Sequence, residues 1–534
     1  MLKESFPFFG GIRLAHHKYA SADSPVAAVP LPERLVLPLR QSTGVAPSPV
    51  VAVGGKVKKG DILAAAEGWV SASLHAPTSG TVVDIGPRPI AHPSGLSAPC
   101  IVIETDGEDA WSEKRPLLAT ADRARLSPKE VQDYLQGMGV VGLGGAMFPS
   151  HVKLTKNPGI PLTTLIVNGA ECEPFITSDD RLMRERAPEI VSGALFLRDV
   201  LEAEEIIFAI EDNKPEAIAA MRAALPEGEG RLRVAGIPSI YPGGSLRQLI
   251  HTLTGKRMSR GVHAPTLGVQ GFNAATVYSV WRAVAHGEPV THRIVTVTGN
   301  VERPGNLEVP LGMSIRDLLA AARSRPNTEG VIVGGPMMGF LLPHDDAPIG
   351  KGNNCLIACS PDIIPKKEAE SPCIRCTSCA QVCPQGLQPF ELYWWSRARD
   401  FDKVERYHIA ECIECGCCAY VCPASIPLVQ YFRFAKSEIH AAKKERKMAE
   451  NAKKRFEFRQ FRLEREKAER AEKLAKAAAA QAAKQAAQAK QATSETPAAS
   501  PEDEAKQAII AAAVERARAQ REEKAAEQTT ENPS

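Results

Sequence analysis

Aromatic residues are scarce in this chain of 534 residues: tryptophan, tyrosine and phenylalanine together make up 5%. The stretch beyond residue 436 contributes almost none of them. No run of eighteen or more apolar residues occurs, so no segment is expected to span a bilayer as a helix. Residues 1–11 lack a cationic start followed by an apolar stretch, so no signal peptide is expected. An excess of charge of one sign is also missing. The 65 Lys and Arg against 62 Asp and Glu leave a net +3, which argues neither for nor against nucleic acid; no nucleic-acid partner is expected, because the basic stretch from Lys436 to Lys490 interleaves Glu with its Lys and Arg. Evenly spread cysteines are absent too, because nine of the thirteen fall between Cys373 and Cys422. In a chain expected in the reducing cytoplasm, such clustering reads as metal ligands and not as a disulfide framework. If the protein works at a membrane, it must dock onto something that spans it.

The length allows three or four domains. Residues 1–30 form an extension rich in Gly, Pro and His. Residues 31–110 hold short β-like runs, LVLPL, PVVAV, GTVVDI and CIVIE, broken by Gly, Pro and Ser. The stretches from Gly54 to Asp61 and from His75 to Val82 resemble the lipoyl/biotinyl carrier fold, a small barrel-sandwich. A carrier needs a modifiable lysine on the hairpin between those halves. Here the hairpin reads Glu67-Gly68-Trp69-Val70, so the barrel is expected to be structural and without a swinging arm. In residues 115–290, β-branched runs such as LTTLIVNG and EEIIFAIED alternate with helical stretches such as PEAIAAMRAAL, which favours a parallel sheet wrapped by helices. Residues 291–365 form a shorter β-rich unit resembling the soluble-ligand-binding β-grasp (SLBB) domain. Residues 366–435 carry the cysteines. Residues 436–534 are rich in Ala, Lys, Glu and Gln with little to bury, and are expected to be helical or disordered.

One pattern occurs twice: Cys373-x2-Cys376-x2-Cys379-x3-Cys383-Pro384 and Cys412-x2-Cys415-x2-Cys418-x3-Cys422-Pro423. This is the spacing of bacterial two-cluster ferredoxins, in which the fourth cysteine of each run reaches the other cluster. It groups Cys373, Cys376, Cys379 and Cys422 on one [4Fe-4S] cluster, and Cys412, Cys415, Cys418 and Cys383 on a second. Paired zinc knuckles would need two C-x2-C pairs, not a triple run ending in Cys-Pro. Cys417 is off the spacing and reads as a passenger. Cys355 and Cys359 read as small buried residues before they read as a labile thiol pair. Cys100 and Cys172 stand alone.

Two further segments suit a nucleotide. Val141-Gly142-Leu143-Gly144-Gly145-Ala146-Met147-Phe148-Pro149-Ser150 lets backbone N–H groups approach a phosphate or a flavin ring, although it is not the G-x-G-x-x-G fingerprint. Then comes Asn168-Gly169-Ala170-Glu171-Cys172-Glu173-Pro174, with an Asn and two Glu placed to bond nucleotide hydroxyls or a flavin edge.

Together these segments resemble the NADH-binding flavoprotein of respiratory complex I, which reads GRGGAGFP and NADESEP at the same places. With the barrel before, the β-grasp unit after and the two-cluster segment following, the order resembles the C component of the Rnf-type ion-translocating electron transport complexes, over about residues 5–435. The resemblance implies a peripheral protein on the cytoplasmic side of the inner membrane. It would exchange electrons between NADH, through non-covalent FMN, and its clusters. Its partners would be an iron–sulfur B subunit and integral membrane subunits, with ferredoxin met indirectly. It further implies that Gly142, Gly144, Gly145 and Ala146 lie under the flavin and its phosphate. Phe148 would stack on the nicotinamide nucleotide and Lys153 would neutralise phosphate. Asn168 and Glu171 would hold the flavin, with Glu173 near the nicotinamide. Tyr241 and Gly244 match a flavin-proximal loop, and Asn273 and Thr276 the ribityl-phosphate side. Departures are Leu143 for arginine, Met147 for glycine, Ala170 for aspartate, Cys172 for serine, and Ser245-Leu246 for two glutamates. They leave a second reading open, a flavin-free iron–sulfur relay on a vestigial nucleotide-binding fold.

Overall fold

Residues 5–120, 126–157, 159–259, 261–363, 368–492 and 501–527 are described by a computed structural model. The chain divides into two units, Met1–Ile439 and His440–Ser534. In the first, strands Arg34–Pro38, Ser97–Thr105, Gly80–Pro89 and Lys56–Val57 form one antiparallel sheet. Ser48–Pro49, Ile62–Ala65 and Leu74–His75 form another. Leu37, Val57, Val82 and Ile101 of the first share a core with Leu63, Ala64 and Leu74 of the second. The run PVVAV supplies only the end of a strand. Pro49 has no N–H to give a ladder, and Val50 and Val53 stay exposed, so little apolar burial holds them extended.

The next layer is a parallel four-stranded sheet in the order Arg231–Ile237, Glu205–Glu211, Thr164–Gly169, Val269–Asn273. Its two middle strands are largely apolar because helices cover both faces. Leu165, Val167, Ile206 and Phe208 pack against Ile190, Ala194, Val277 and Val280 of helices Ala187–Leu201 and Ala274–His286. Ile166, Ala209 and Ile237 point the other way, to Leu249 and Ile250 of helix Leu246–Thr254. The first two helices approach so closely that a Cβ on Gly193 would stand 2.5 Å from the Val277 carbonyl oxygen.

A six-stranded mixed sheet follows, in the order Ala27–Ala28, Gly305–Pro310, His292–Gly299, Cys355–Cys359, Gly330–Val333, Phe340–Leu341. Its helix Ile315–Ala321 is capped by the Ser314 hydroxyl, which accepts from the Asp317 N–H. The N-terminal extension is woven into the unit. Ala27–Ala28 adds a parallel edge strand to this sheet, and Ile12 bridges to Tyr241. The cysteine segment makes short helices around its own core of Leu392, Tyr393, Val404, Ile426 and Phe432. Helix Leu428–Ala492 begins there, and helix Pro501–Glu527 follows. Beyond residue 440 the described tail is helical, and the side chains described from 441 to 490 are exposed apart from Glu466. Among the described residues, no helix is long and apolar enough to cross a membrane.

Candidate functional site

Strand Thr164–Gly169 leads outward through Glu205–Glu211 to Arg231–Ile237, and the chain then returns to place Val269–Asn273 on its other side. The strand order therefore reverses between Thr164–Gly169 and Val269–Asn273. In open α/β sheets, the crevice at the carboxyl ends of such strands is where ligands bind. Asn168 and Asn273 are register partners at that end. The Asn168 amide donates to the Gly244 carbonyl at 2.8 Å and its oxygen accepts from the Ala170 N–H. Asn273 caps helix Ala274–His286 by accepting from the Thr276 N–H, and its amide donates to Asp179 at 2.5 Å.

The glycine-rich segment reaches the same crevice. No strand leads into it; helix Pro128–Gly137 does. The Gly142 N–H donates to the Phe148 carbonyl at 2.8 Å and the Met147 N–H donates back to Gly142, closing a loop. Leu143 is pinned at both backbone polar atoms. Its N–H donates to the Thr276 hydroxyl at 2.8 Å, and its carbonyl accepts from Arg293 at 2.5 Å. Its side chain is 4% exposed and packs with Ala72 of the barrel and with Val141. Met147 holds φ of +47°, in the region that favours glycine. Between them, Gly144, Gly145 and Ala146 reach the surface, and their N–H groups donate to no acceptor among the described residues. A Cβ on Gly144 would lie 3.3 Å from that of Asn273, while the space above Gly145 is open. Three free amides over a glycine turn, beside a helix N-terminus, fit the phosphate or ring edge of a flavin nucleotide.

The acidic loop is held differently. The Glu171 carboxylate accepts from the N–H groups of Asp179 (2.7 Å) and Asp180 (3.3 Å), at the start of helix Ser178–Glu185. Burial pushes its pKa up to about 7, against the pull of Lys18. Glu173 accepts from the Met337 and Met338 N–H groups at 3.2 and 2.8 Å, and burial raises it to about 7 as well. Lys18 threads beneath, its ammonium donating to the carbonyls of Glu171 (3.0 Å), Glu173 (2.9 Å) and Ile176. Lys214 donates to Ala170 O at 2.7 Å and pairs with Glu211. Burial and the neighbouring Lys214 hold the Lys18 pKa down.

Lys153 is placed apart from the glycine turn. Its ammonium donates to Gly271 O at 2.9 Å, lies 5.0 Å from the Phe272 ring centroid and lines a cleft with Lys156, Leu201 and Gln270. Burial lowers its pKa to about 8. Phe148 is half-buried. Gly244 is held close, since a Cβ there would lie 3.2 Å from the Cys172 sulfur. Tyr241 is buried and faces the cysteines, donating its O–H to the Cys415 carbonyl at 2.7 Å.

The eight spaced cysteines fall into two groups. Cys373, Cys376, Cys379 and Cys422 line one hollow with Ile374, Phe390 and Tyr393. Cys383, Cys412, Cys415 and Cys418 line another with Leu392, Val429 and Phe432, and Cys417 borders it. Among the described residues, no three His, Cys, Asp or Glu side chains close on one ion-sized point. Thiols spread around an apolar hollow suit a cube with four separated iron corners better than a single ion. The donor sets, each three cysteines of one run plus the fourth of the other, fit two [4Fe-4S] clusters. The second cavity lies against the nucleotide domain and the β-grasp segment: besides the Tyr241 bond, Gln248 donates to Pro384 O at 3.0 Å, and Gly416 packs on the carbonyl of Met337 in the β-grasp segment. The first is the outer one, with Cys376 and Ile374 exposed. Cys355 and Cys359 stand at the two ends of one five-residue strand. That separation, about 13 Å, rules out a bond between them.

Sequence reasoning did not find Lys18, Asp179, Lys214, Arg293 or Lys351. Each acts through tertiary contacts with segments far away in the chain, and none belongs to a local spacing that could have marked it.

Comparison with known families agrees along the chain. Residues 6–108 match the RnfC barrel sandwich hybrid domain, 135–282 the Nuo51 FMN-binding domain, 294–341 the SLBB domain and 372–426 the 4Fe-4S dicluster domain. A protein of Salmonella gallinarum, named as the C component of an ion-translocating oxidoreductase complex, is 46% identical over 456 residues, covering 85% of this chain and 67% of its own length. Its counterpart in Salmonella dublin is equally similar, with 64% of its length covered. The chain thus spans about two thirds of the length of these relatives. A solved NAD+-reducing [NiFe]-hydrogenase chain is 20% identical with a TM-score of 0.44 over 60% of this chain and 64% of its own, a likeness too slight to carry an argument. The four domains in this order, and close relatives over most of its length, make this chain a member of the RnfC family, the C components of ion-translocating oxidoreductase complexes.

Proposed function

We propose that this chain is the NADH-facing peripheral component of a membrane-bound, ion-translocating ferredoxin:NAD oxidoreductase. It passes electrons between NADH, through FMN at the glycine turn, and two [4Fe-4S] clusters. The chemistry that a bound flavin supplies is the division of a hydride's two electrons into single ones, which four-iron clusters can carry. The chain's own residues bind and orient. The amides of Gly144, Gly145 and Ala146 take the anionic edge, with Asn168, Asn273 and Thr276 fixing the crevice around them. Phe148 offers the stacking surface for the nicotinamide.

The observation that carries the reading is the O–H···O bond from Tyr241, in the loop beside Gly244, to Cys415 of the inner cysteine group. It supports an order of flavin, inner cluster (Cys383, Cys412, Cys415, Cys418), outer cluster (Cys373, Cys376, Cys379, Cys422), and then the partner. That partner is an iron–sulfur B subunit on integral membrane subunits at the cytoplasmic face of the inner membrane, with ferredoxin beyond.

The flavin-free relay has one observation in its favour: Glu171 and Glu173 already commit their carboxylates to protein N–H groups. Anaerobic titration of the cluster-reconstituted chain with NADH and FMN, followed by absorbance and EPR, separates the two. Reduction of flavin and both clusters by NADH is expected. Reduction by dithionite but not by NADH with FMN present would leave only the relay.

A further inference from the structure

Arg293 lies on strand His292–Gly299 of the β-grasp sheet and is 5% exposed. Its two terminal nitrogens donate to carbonyls in separate segments, Leu143 O and Lys351 O, each at 2.5 Å. Its Nε is buried without a partner. The opposite charge near it is Asp179, whose carboxylate is bonded to Asn273. Lys351, the residue whose carbonyl Arg293 holds, is buried as well, and its ammonium donates to Gly139 O at 2.7 Å and Ser73 O at 3.1 Å. Two buried cations of the β-grasp segment therefore grip the glycine loop at two points, Gly139 at its entry and Leu143 within it. A buried cation held by carbonyls, without a carboxylate bonded to it, is costly, and such a cost points to the geometry it holds.

We propose that Arg293 is a positioning residue for the nucleotide cradle: by holding Leu143 O from behind, it keeps the Gly144, Gly145 and Ala146 amides facing outward, toward a phosphate-bearing ligand. This rests on the flavin reading of the turn above. The planar fork of arginine reaches the two carbonyls from two separate nitrogens, a fixed span that the single ammonium of a lysine does not reproduce. Leu143 is then clamped between Arg293 on its carbonyl and Thr276 on its N–H, so the three residues that follow inherit a fixed direction. Removing the fork takes away no atom that touches ligand, yet releases the turn.

The test uses the full chain with both clusters reconstituted, as wild type, Arg293→Met and Arg293→Lys. Three quantities are measured: FMN affinity by fluorescence quenching, hydrogen exchange of peptides covering residues 140–150, and the EPR signals of the clusters. Arg293→Met is expected to weaken FMN at least tenfold and to speed exchange in residues 143–147, with cluster signals unchanged; Arg293→Lys falls between. Unchanged FMN affinity and unchanged exchange in Arg293→Met would overturn the proposal. So would loss of protection across the whole chain in both variants, which would mark a general core role. If wild type binds no FMN, the flavin reading fails, while the exchange of residues 143–147 still judges the hold of Arg293 on the turn.

Discussion

Leu143→Arg restores the residue that complex I carries in its glycine loop, and it should weaken the site. The leucine side chain is 4% exposed and packs among Ala72, Val141 and Ala275, an apolar setting that offers a guanidinium no compensation. Losing a fully buried leucine forfeits about 1.5–3 kcal/mol. Leaving a charge buried and unpaired costs about 3–5 kcal/mol more, and Arg293 beside it is a like charge, not a partner. The arginine escapes part of that cost by swinging out past Gly144, but it then pulls the turn with it. The result is a fall in FMN affinity of between about tenfold and 10³-fold, since each 1.4 kcal/mol is a factor of ten. Fluorescence quenching of FMN by the reconstituted chain measures it, with Leu143→Met as the volume-conserving control, expected within about 1.5 kcal/mol of wild type. Tighter binding by Leu143→Arg would refute the reasoning. It would mean that the leucine is a lost ligand, and that the packing against the barrel follows from that loss.

Two further perturbations probe buried or paired cations. Burial lowers the Lys351 pKa from 10.5 to about 7, so between those values the unfolded chain binds the extra proton. Stability from this group is therefore fully present above pH 10.5 and declines as pH falls to 7, by about 5 kcal/mol in all. Lys351→Met should lack that rise, so its melting temperature drops further below wild type at pH 9.5 than at pH 7; parallel pH profiles would sink the argument. Lys436 donates to Cys412 O at 2.6 Å and pairs with Glu414 at 2.8 Å, beside the inner cysteine group. Lys436→Met should lower the midpoint potential of one cluster by about 50 mV and leave the other in place, read by EPR redox titration. Equal shifts in both signals would contradict the assignment of Cys412 to a single, inner group.

The parts of this molecule that could be read from the sequence are those whose physics is local. A cluster ligand set repeats every three residues because successive thiolates each reach a different iron of one cube, so the eight cysteines announce themselves. Strands Thr164–Gly169 and Glu205–Glu211 are legible because a sheet covered on both faces has no polar side to interrupt the run. The order of the two clusters was not legible. It depends on Gly416 meeting Met337 and Tyr241 meeting Cys415, contacts between segments that nothing in either stretch foretells. Lys18, Arg293 and Lys351 were missed for a related reason. In sequence, a lone cation reads as surface, and only the fold reveals that its partners are carbonyls from distant segments. The two glutamates of the acidic loop matched their family motif, yet their carboxylates cap a helix and a β-grasp turn.

The barrel without a carrier lysine acquires a purpose from the same contacts. A swinging arm needs a hairpin free to travel, and here the hairpin is docked. The Gly68 carbonyl accepts from Gln136 at 2.8 Å, and the Trp69 carbonyl meets the His151 ring nitrogen at 2.8 Å, with the Trp69 ring edge-on to that imidazole. Gln136 lies in the last turn of the helix that precedes the glycine turn, and His151 sits in the 3-10 helix Ser150–Leu154 that follows it. The barrel thus grips both flanks of the turn, while the β-grasp sheet holds it from behind through Arg293 and Lys351. Two of the departures from complex I fall at these grips: Leu143 packs on Ala72 of the barrel, and the Met147 sulfur lies 2.7 Å from where a Cβ on Gly352 would stand. An arginine and a glycine lost from the loop are therefore not decay in an isolated motif. Their replacements are the side chains by which the two flanking domains engage it, and the rigidity of the cradle belongs to all three domains together.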